Sequence, residues 1–141
     1  MNPDFQEYNQ QQNWLFPLSI EELIPEDHPV RIVNGVIEQL DLKLLTGVYS
    51  KEGRPSYHPK MLLKIMVYAY MDNIYSSRKI EKAMRENINF MWLSGKQMAD
   101  HNTLARFRSN KLKDVFKDIS KQVVMFLTEE GLVKLKDVQY L

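Results

Sequence analysis

Residues 57–73 read Tyr57-His-Pro-Lys-Met-Leu-Leu-Lys-Ile-Met-Val-Tyr-Ala-Tyr-Met-Asp-Asn73, and the rest of the chain is organised around them. Pro59 suits the first position of a helix, where its missing N–H costs nothing and its fixed φ fits. The apolar positions after it are Met61, Leu62, Leu63, Ile65, Met66, Val67, Ala69, Tyr70 and Met71. The polar positions form one seam at a spacing of four residues: Lys60, Lys64, Tyr68 and Asp72. A helix that is apolar around most of its circumference is usually buried, so we predict a central helix at about 59–73 with only the seam facing water.

Length and composition place this helix in one globular domain. The chain has 141 residues, 44% of them hydrophobic, which is enough for one domain with its own core. Lys64 and Asp72 interrupt the apolar run too early for a membrane span, which needs about 20 apolar residues. The first residues, Met-Asn-Pro-Asp-Phe-Gln, show neither the basic nor the apolar region of an export signal. We therefore expect no membrane partner and a cytoplasmic location.

The sequence carries no recognisable catalytic or cofactor chemistry. It has no cysteine, which excludes disulfides, a thiolate nucleophile and a Cys-based zinc site in this stretch. Its three histidines, His28, His58 and His101, stand singly without a second ligand three or four residues away, and the first two precede prolines, as residues at helix starts often do. No nucleophile signature, phosphate loop or dinucleotide motif occurs. We predict no catalytic residue, no metal and no cofactor in this chain.

Capping residues divide the rest of the sequence into further helices. The candidate N-caps are Ser19, with Glu22 completing a capping box, Asp27 or His28, Ser76 or Ser77, Asn87 or Asn89, and Asp100. The predicted helix ends are Pro25, Leu40, Gly95 and Gly131. A short helical stretch at 41–45 and a loop up to Pro59 complete the approach to the central helix. The sequence thus predicts an all-α bundle around the helix at 59–73.

The two ends of the chain read differently from the bundle. Residues 1–17 are polar and rich in Gln and Asn, and we predict a tail anchored by packing of Tyr8, Trp14, Leu15 and Phe16. The last long helix draws its predicted core from Val115, Phe116, Ile119, Val123, Phe126 and Leu127. From residue 132 the helical period ends, and residues 138–141 predict a short strand without a partner strand in the sequence.

Charge is distributed unevenly along the chain, although its formal net value is only +1. Residues 1–50 carry a net charge of −6, residues 51–113 carry +8, and residues 114–141 carry −1. Lysine and arginine on helix surfaces explain many such blocks by solvation alone. A polyanionic partner explains this one equally well.

A helix-turn-helix-like unit is predicted at about 77–109, inside the basic segment. In its first helix Ile80, Ala83 and Met84 point inward, while four cations point outward: Arg78, Lys79, Lys82 and Arg85. A helix that starts at Asp100 follows, although the turn at 95–99 is longer than the usual three to four residues. Its outer face would hold Asn102, Arg106, Ser109 and Lys113 if the helix continues that far.

Such a unit has the residues that reading DNA requires. Asn pairs bidentately with adenine and Arg with guanine in the major groove, so Asn102 and Arg106 are the natural base readers. Cations on the flanking surface hold phosphates. The alternative is that Asn102 and Arg106 only solvate a surface helix. The candidate DNA-binding residues are Arg78, Lys79, Lys82, Arg85, Lys96, Asn102, Thr103, Arg106, Arg108 and Lys113.

Five blocks of sequence, in order and in register, resemble the N-terminal domain of bacterial insertion-sequence transposases of the DDE type. They are Ile24-Pro-Glu-Asp-His-Pro-Val-Arg31, Gly53-Arg-Pro-Ser-Tyr-His-Pro-Lys-Met-Leu-Leu-Lys64, Ser77-Arg-Lys-Ile-Glu81, Phe90-Met-Trp-Leu93 and Asp100-His-Asn-Thr-Leu-Ala-Arg-Phe-Arg108. The resemblance implies a helical domain that binds the terminal inverted repeats of an element. It also implies that a ribonuclease-H-like domain with an Asp, Asp, Glu metal triad would follow. The given sequence ends at Leu141, before the position expected for the first Asp of that triad.

The resemblance sets the expected domain plan and the expected partners. Residues 1–17 would be the tail, 18–131 the DNA-binding domain, and 132–141 the start of a truncated catalytic domain. We therefore expect double-stranded DNA binding without catalysis, with a homodimer or a full-length transposase as a further partner. Two rival hypotheses are a protein-interaction module that dimerises with and inhibits a transposase, and an inert remnant of a disrupted element.

Overall fold

The computed structural model describes residues 3–49 and 57–129 of the chain. Regular structure in those ranges is entirely helical, which confirms the predicted all-α class. The elements are α1 Ile20–Leu23, α2 Pro29–Glu38, α3 Lys43–Gly47, α4 Pro59–Met71, α5 Ser77–Glu86, α6 Ile88–Ser94, α7 His101–Arg106, a π-helix Phe107–Leu112 and α8 Phe116–Glu129. The predictions of a helix end at Gly131 and a strand at 138–141 lie outside the described residues.

The central helix is α4, as predicted. Pro59 occupies its first turn, and every residue from Met61 to Met66 is buried. α4 packs against α2 on one side and α6 on another. Because neighbouring helices cover it from several directions, its apolar residues form the centre of the core that also takes in residues of α2 and α5 to α8.

The predicted wet seam of α4 is wrong at two positions. Lys64 is only 9% exposed and Tyr68 only 5%. The Lys64 ammonium pairs with the Glu38 carboxylate of α2, and Lys60 donates to the same carboxylate at 3.3 Å. The hydrogen bond from Lys64 is the main reason that the pKa of Glu38 lies below its ordinary value. A polar residue therefore stays buried on α4 because α2 supplies its partner.

The apolar assignment of α4 is also wrong at its C-terminal end. Tyr70 is 49% exposed and Met71 is 54% exposed, although both count as apolar in the sequence pattern. The Tyr70 ring instead contacts the ring of Tyr75 just beyond the helix, with centroids 5.5 Å apart. The last turn of α4 thus extends past the helices that cover its middle.

The predicted N-caps are confirmed and the alternatives resolved. The capping side chains are those of Ser19, His28, His58, Ser76, Asn87 and Asp100, each accepting a backbone N–H at the start of its helix. His28 and His58 accept through Nδ1 at 3.0 Å, so an imidazole nitrogen takes the place of the Ser or Asp oxygen that usually caps a helix. Gly95 ends α6 in the left-handed conformation with φ 60°, as predicted.

Replacing His58 by alanine should lower the free energy of unfolding by about 1 kcal/mol, because the N–H of Lys60 at the start of α4 loses its acceptor. His58→Asn is the matched control, since an Asn side chain can accept the same N–H. Urea titrations of the three proteins provide the measurement. If the alanine and asparagine variants unfold at the same urea concentration, the cap does not stabilise α4.

Arg31 joins three helices at one end of the bundle. Its guanidinium donates to the carbonyl oxygens of Glu21, Ile24 and Pro25 at 2.6, 2.8 and 3.0 Å. The Glu21 carbonyl belongs to α1, and the other two follow the end of that helix, where carbonyls lack intrahelical donors. The same guanidinium lies 5.1 Å from the centre of the Trp92 ring on α6. Arg31 of α2 therefore holds α1 and α6 together.

The N-terminal tail does not behave as predicted. Tyr8, Trp14, Leu15 and Phe16 are all strongly exposed, so they do not anchor residues 3–17 to the bundle. At the other end, Val115 and Ile119 are buried as expected, and Val124 of α8 is buried as well. Phe116, Val123 and Phe126 are half-buried, and the side chain of Leu127 lies outside the description. Across the described ranges, every helix is too short or too polar to cross a bilayer.

Candidate nucleic-acid interface

The outer face of α5 is basic, as the sequence predicts. Ile80, Ala83 and Met84 are buried against the bundle. The four opposite positions are all exposed: Arg78, Lys79, Lys82 and Arg85. This separation follows from the helical period, because residues three or four apart share a face. α5 therefore presents a row of cations to solvent.

The cations of α5 differ in their pairing. Lys82 lies 4.0 Å from Glu86, and Arg85 lies 3.6 Å from Glu81. Exposed pairs of this kind contribute about 0.3–0.5 kcal/mol on a helix, so both are easily exchanged for another anion. Within the described residues, Arg78 and Lys79 make no ion pair at all. All four side chains are available to a polyanion.

Glu81 fixes the start of α7 against α5. Its carboxylate accepts the backbone N–H of His101 at 3.1 Å, and the same oxygen lies 3.5 Å from Nδ1 of the His101 ring. α5 and α7 also pack directly on one another, with Leu104 of α7 fully buried. A carboxylate in the basic row thus has a structural purpose: it sets the position of the helix predicted to read DNA.

The N-terminal part of α7 places its two predicted base readers together. Asp100 caps the helix by accepting the N–H of Thr103 at 2.8 Å, and this hydrogen bond holds the pKa of Asp100 below its ordinary value. Asn102 and Arg106 are both exposed, and Nε of Arg106 donates to the backbone oxygen of Asn102 at 3.3 Å. Thr103 is half-buried beside them. One outward surface therefore holds Asn102 and Arg106, as the spacing of four predicts.

The predicted common face of Asn102, Arg106, Ser109 and Lys113 is wrong, because α7 does not continue as an α-helix. A π-helix replaces it over Phe107–Leu112. Phe107 and Leu112 are both buried, and a spacing of five residues places them on one side only in a turn with i→i+5 hydrogen bonds. The wider turn directs Ser109 and Lys113 toward α4, where they line a groove with Tyr70.

The remaining predicted residues lie in two other places. Lys96 is exposed in the turn after α6, in the left-handed conformation with φ 68°, and its N–H donates to the Met91 carbonyl at 2.9 Å. Arg108 is half-buried, and its guanidinium points back between α4 and α5. Arg108 is therefore separate from the cations on the outer face of α5.

Sequence reasoning missed Lys111, whose partners are distant in the sequence. Its ammonium donates to the carbonyl of Val48 at 3.2 Å and lies 4.9 Å from the centre of the Tyr49 ring. The π-helix is thereby tied to the segment after α3. The π-helix itself had a signal in the sequence: Phe107 and Leu112 are five residues apart, a spacing that does not place two apolar residues on one face of an α-helix.

In the part of the chain that the structure describes, no group of three His, Cys, Asp or Glu side chains could hold a metal ion.

A family model described as Transposase domain (DUF772) matches residues 18–110 of the chain. That range runs from the cap of α1 into the π-helix and includes α5 and α7. Comparisons with curated proteins and with solved structures gave no match.

Proposed function

The chain belongs to the transposase-domain family DUF772, and from that premise we propose that it acts in DNA transposition by binding the terminal inverted repeats of an insertion element. The observation that carries this proposal is the pair of packed helices α5 and α7. One presents four exposed cations, and the other presents Asn102 and Arg106 on a shared outward surface. Glu81 links the two helices, so the cations and the base readers would meet a duplex in a fixed relation.

The two helices would contribute different kinds of contact. Asn102 and Arg106 carry the forked donors and acceptors that distinguish base edges in the major groove. Arg78, Lys79 and Lys82 would hold phosphates, which fixes orientation but carries no sequence information. Further candidates are Arg85 on the same face of α5, Thr103 on α7, and Lys96 in the turn after α6. The proposed role is DNA binding alone and includes no catalytic step.

The proposed role predicts a salt-dependent affinity with two separable components. If about six phosphates are contacted, the logarithm of the binding constant should fall with the logarithm of the salt concentration with a slope near −5.

Arg106→Ala should cost about 1–3 kcal/mol on the terminal repeat and little on a scrambled duplex. Lys82→Ala should weaken both duplexes alike and reduce the salt slope by about 1.

Competition titrations on terminal-repeat and scrambled duplexes at two salt concentrations provide the measurement. Lys117→Ala is the matched control, because it removes one exposed cation from α8 and leaves α5 and α7 unchanged. A salt slope near zero would contradict DNA binding. Equal weakening of both duplexes by Arg106→Ala would show that α7 makes only an electrostatic contact.

A protein-interaction role is the second candidate, and one observation favours it. Phe5, Tyr8, Trp14, Leu15 and Phe16 are strongly exposed on a segment that does not pack against its own bundle. Apolar side chains grouped in this way often mark a contact with another protein. Size-exclusion chromatography with and without terminal-repeat DNA separates the two roles, since a dimerising module elutes as a dimer regardless of DNA.

A further inference from the structure

A groove between α4 and the π-helix lies apart from the proposed duplex-binding surface. Its volume is about 340 Å³, which is within the range of pockets that hold small molecules. Apolar walls are formed by Met66, Tyr70, Leu112 and Phe116. Arg108, Ser109 and Lys113 add polar groups from the π-helix and the residue after it. Largely apolar walls with a few polar groups are typical of sites that bind a specific ligand.

The Arg108 guanidinium makes only long contacts with its neighbours. Its terminal nitrogen lies 3.5 Å from the Ser77 hydroxyl and 3.9 Å from the Met66 sulfur, both at the outer limit of hydrogen bonding. Its Nε is buried and has no acceptor among residues 3–49 and 57–129. In the same ranges no carboxylate lies within 4.0 Å of the guanidinium. Because Nε is buried, a ligand in the groove would contact the terminal nitrogens of the guanidinium. A half-buried cation without an anion is unfavourable, so an anion that reaches these nitrogens from the groove would be stabilised there.

The rim of the groove adds a second cation and an aromatic surface. Lys113 is exposed and makes no ion pair within the described part of the chain. The ring of Tyr70 is half exposed at the same rim. Ser109 also lines the groove, and its hydroxyl donates to the Ala105 carbonyl at 2.9 Å. Two cations beside apolar and aromatic walls suit a ligand that has an anionic part and a flat aromatic part.

We propose that this groove holds one unstacked nucleotide of a DNA strand. The phosphate would lie between Arg108 and Lys113, and the base would contact the Tyr70 ring and the apolar wall. Bases stack on aromatic side chains regardless of their identity, because every base has a π-face. A phosphate alone would leave the apolar walls unused, and an intact duplex is too wide to enter a groove of this size. This inference rests on the proposed function and adds a separate site for single-stranded DNA.

The test compares a blunt duplex with the same duplex carrying a short single-stranded extension. The full chain should bind the extended duplex about tenfold more tightly, which corresponds to one stacked base. Tyr70→Leu keeps an apolar side chain but removes the ring, so it should abolish that preference and leave affinity for the blunt duplex unchanged. Lys113→Gln should reduce the preference as well, whereas Lys117→Gln on α8 should not.

The outcomes separate this inference from the proposed function. Equal affinity of the parent chain for both duplexes overturns the nucleotide site and leaves duplex binding intact. A preference that persists in both Tyr70→Leu and Lys113→Gln also overturns it, because the extension then binds elsewhere. Binding of the extended duplex that Tyr70→Leu abolishes, without any binding of the blunt duplex, supports the groove and contradicts the proposed duplex surface. Both variants change half-exposed or exposed side chains, and a thermal melt of each verifies folding.

Discussion

Ile65→Asp should leave the chain without a stable fold at room temperature. Ile65 is completely buried in the middle of α4, within the run of buried residues from Met61 to Met66. A carboxylate there would be desolvated and unpaired, which costs about 5 kcal/mol or more after any shift toward its neutral form. Domains of this size have about 5–15 kcal/mol of stability in total, so one such substitution removes most of it.

The choice of position matters for this experiment. Met66 is equally buried, but its sulfur lies 3.9 Å from the Arg108 guanidinium, which could pair with a new carboxylate. Met71→Asp is the control on the same helix, because that side chain is half exposed at the C-terminal turn. It should cost at most about 1 kcal/mol, mostly from an anion near the negative end of the helix dipole. Circular dichroism melts distinguish the two variants. An Ile65→Asp protein that melts like its parent would contradict the central position of α4.

Arg31→Ala should lower the free energy of unfolding by about 2–4 kcal/mol, the second largest expected effect. The substitution removes the guanidinium from three carbonyl oxygens and from the face of Trp92. The oxygens of Glu21 and Pro25 keep a backbone N–H donor at 3.4 and 3.2 Å, whereas that of Ile24 loses a donor at 2.8 Å. Hydrogen bonds to a charged group contribute about 1.5–3 kcal/mol each, and water replaces part of this at the exposed edge.

Arg31→Lys tests whether geometry or charge is responsible. An ammonium keeps the positive charge but cannot reach three carbonyl oxygens with a planar fork, so most of the loss should remain. Urea unfolding of parent, alanine and lysine variants gives the comparison. A loss of less than about 0.5 kcal/mol for Arg31→Ala, the range of ordinary surface substitutions, would show that α1 is held by apolar packing alone.

Local features of the fold were predictable because their causes lie within three or four residues. The caps Ser76, Asn87 and Asp100 follow from a polar side chain placed just before an apolar run, and the end of α6 follows from Gly95. The central position of α4 follows from its apolar circumference. Each of these features can be predicted from the helical period and the geometry of helix ends alone.

Features that depend on distant partners were not predictable. Lys64 is buried because Glu38, 26 residues away, lies opposite it. Trp14 and Phe16 are exposed because no helix of the described ranges covers them, which apolarity alone does not reveal. Sequence periodicity reports how apolar a position is, whereas burial is decided by what packs against it.

In the candidate interface, too, features set within one helix were predictable and features set by packing between helices were not. The outward cations of α5 and the pairing of Asn102 with Arg106 come from spacing within one helix, and the structure places them as the spacing predicts. Ser109 and Lys113 were misplaced because a π-helix changes the period after Arg106. Arg108 belongs to the groove, and only the arrangement of α4 beside the π-helix reveals this.

The most direct measurement of the central claim is a backbone amide chemical-shift titration of the labelled chain with terminal-repeat duplex. We expect the largest shifts in α5 and α7, centred on Lys79, Lys82, Asn102 and Arg106, whereas the acidic segment around Glu21 and Glu22 should not change. The shifts should diminish as salt is added, because phosphate contacts release counterions. Shifts confined to the exposed tail around Trp14, or spread evenly over the surface, would contradict the claim that α5 and α7 form a DNA-binding surface.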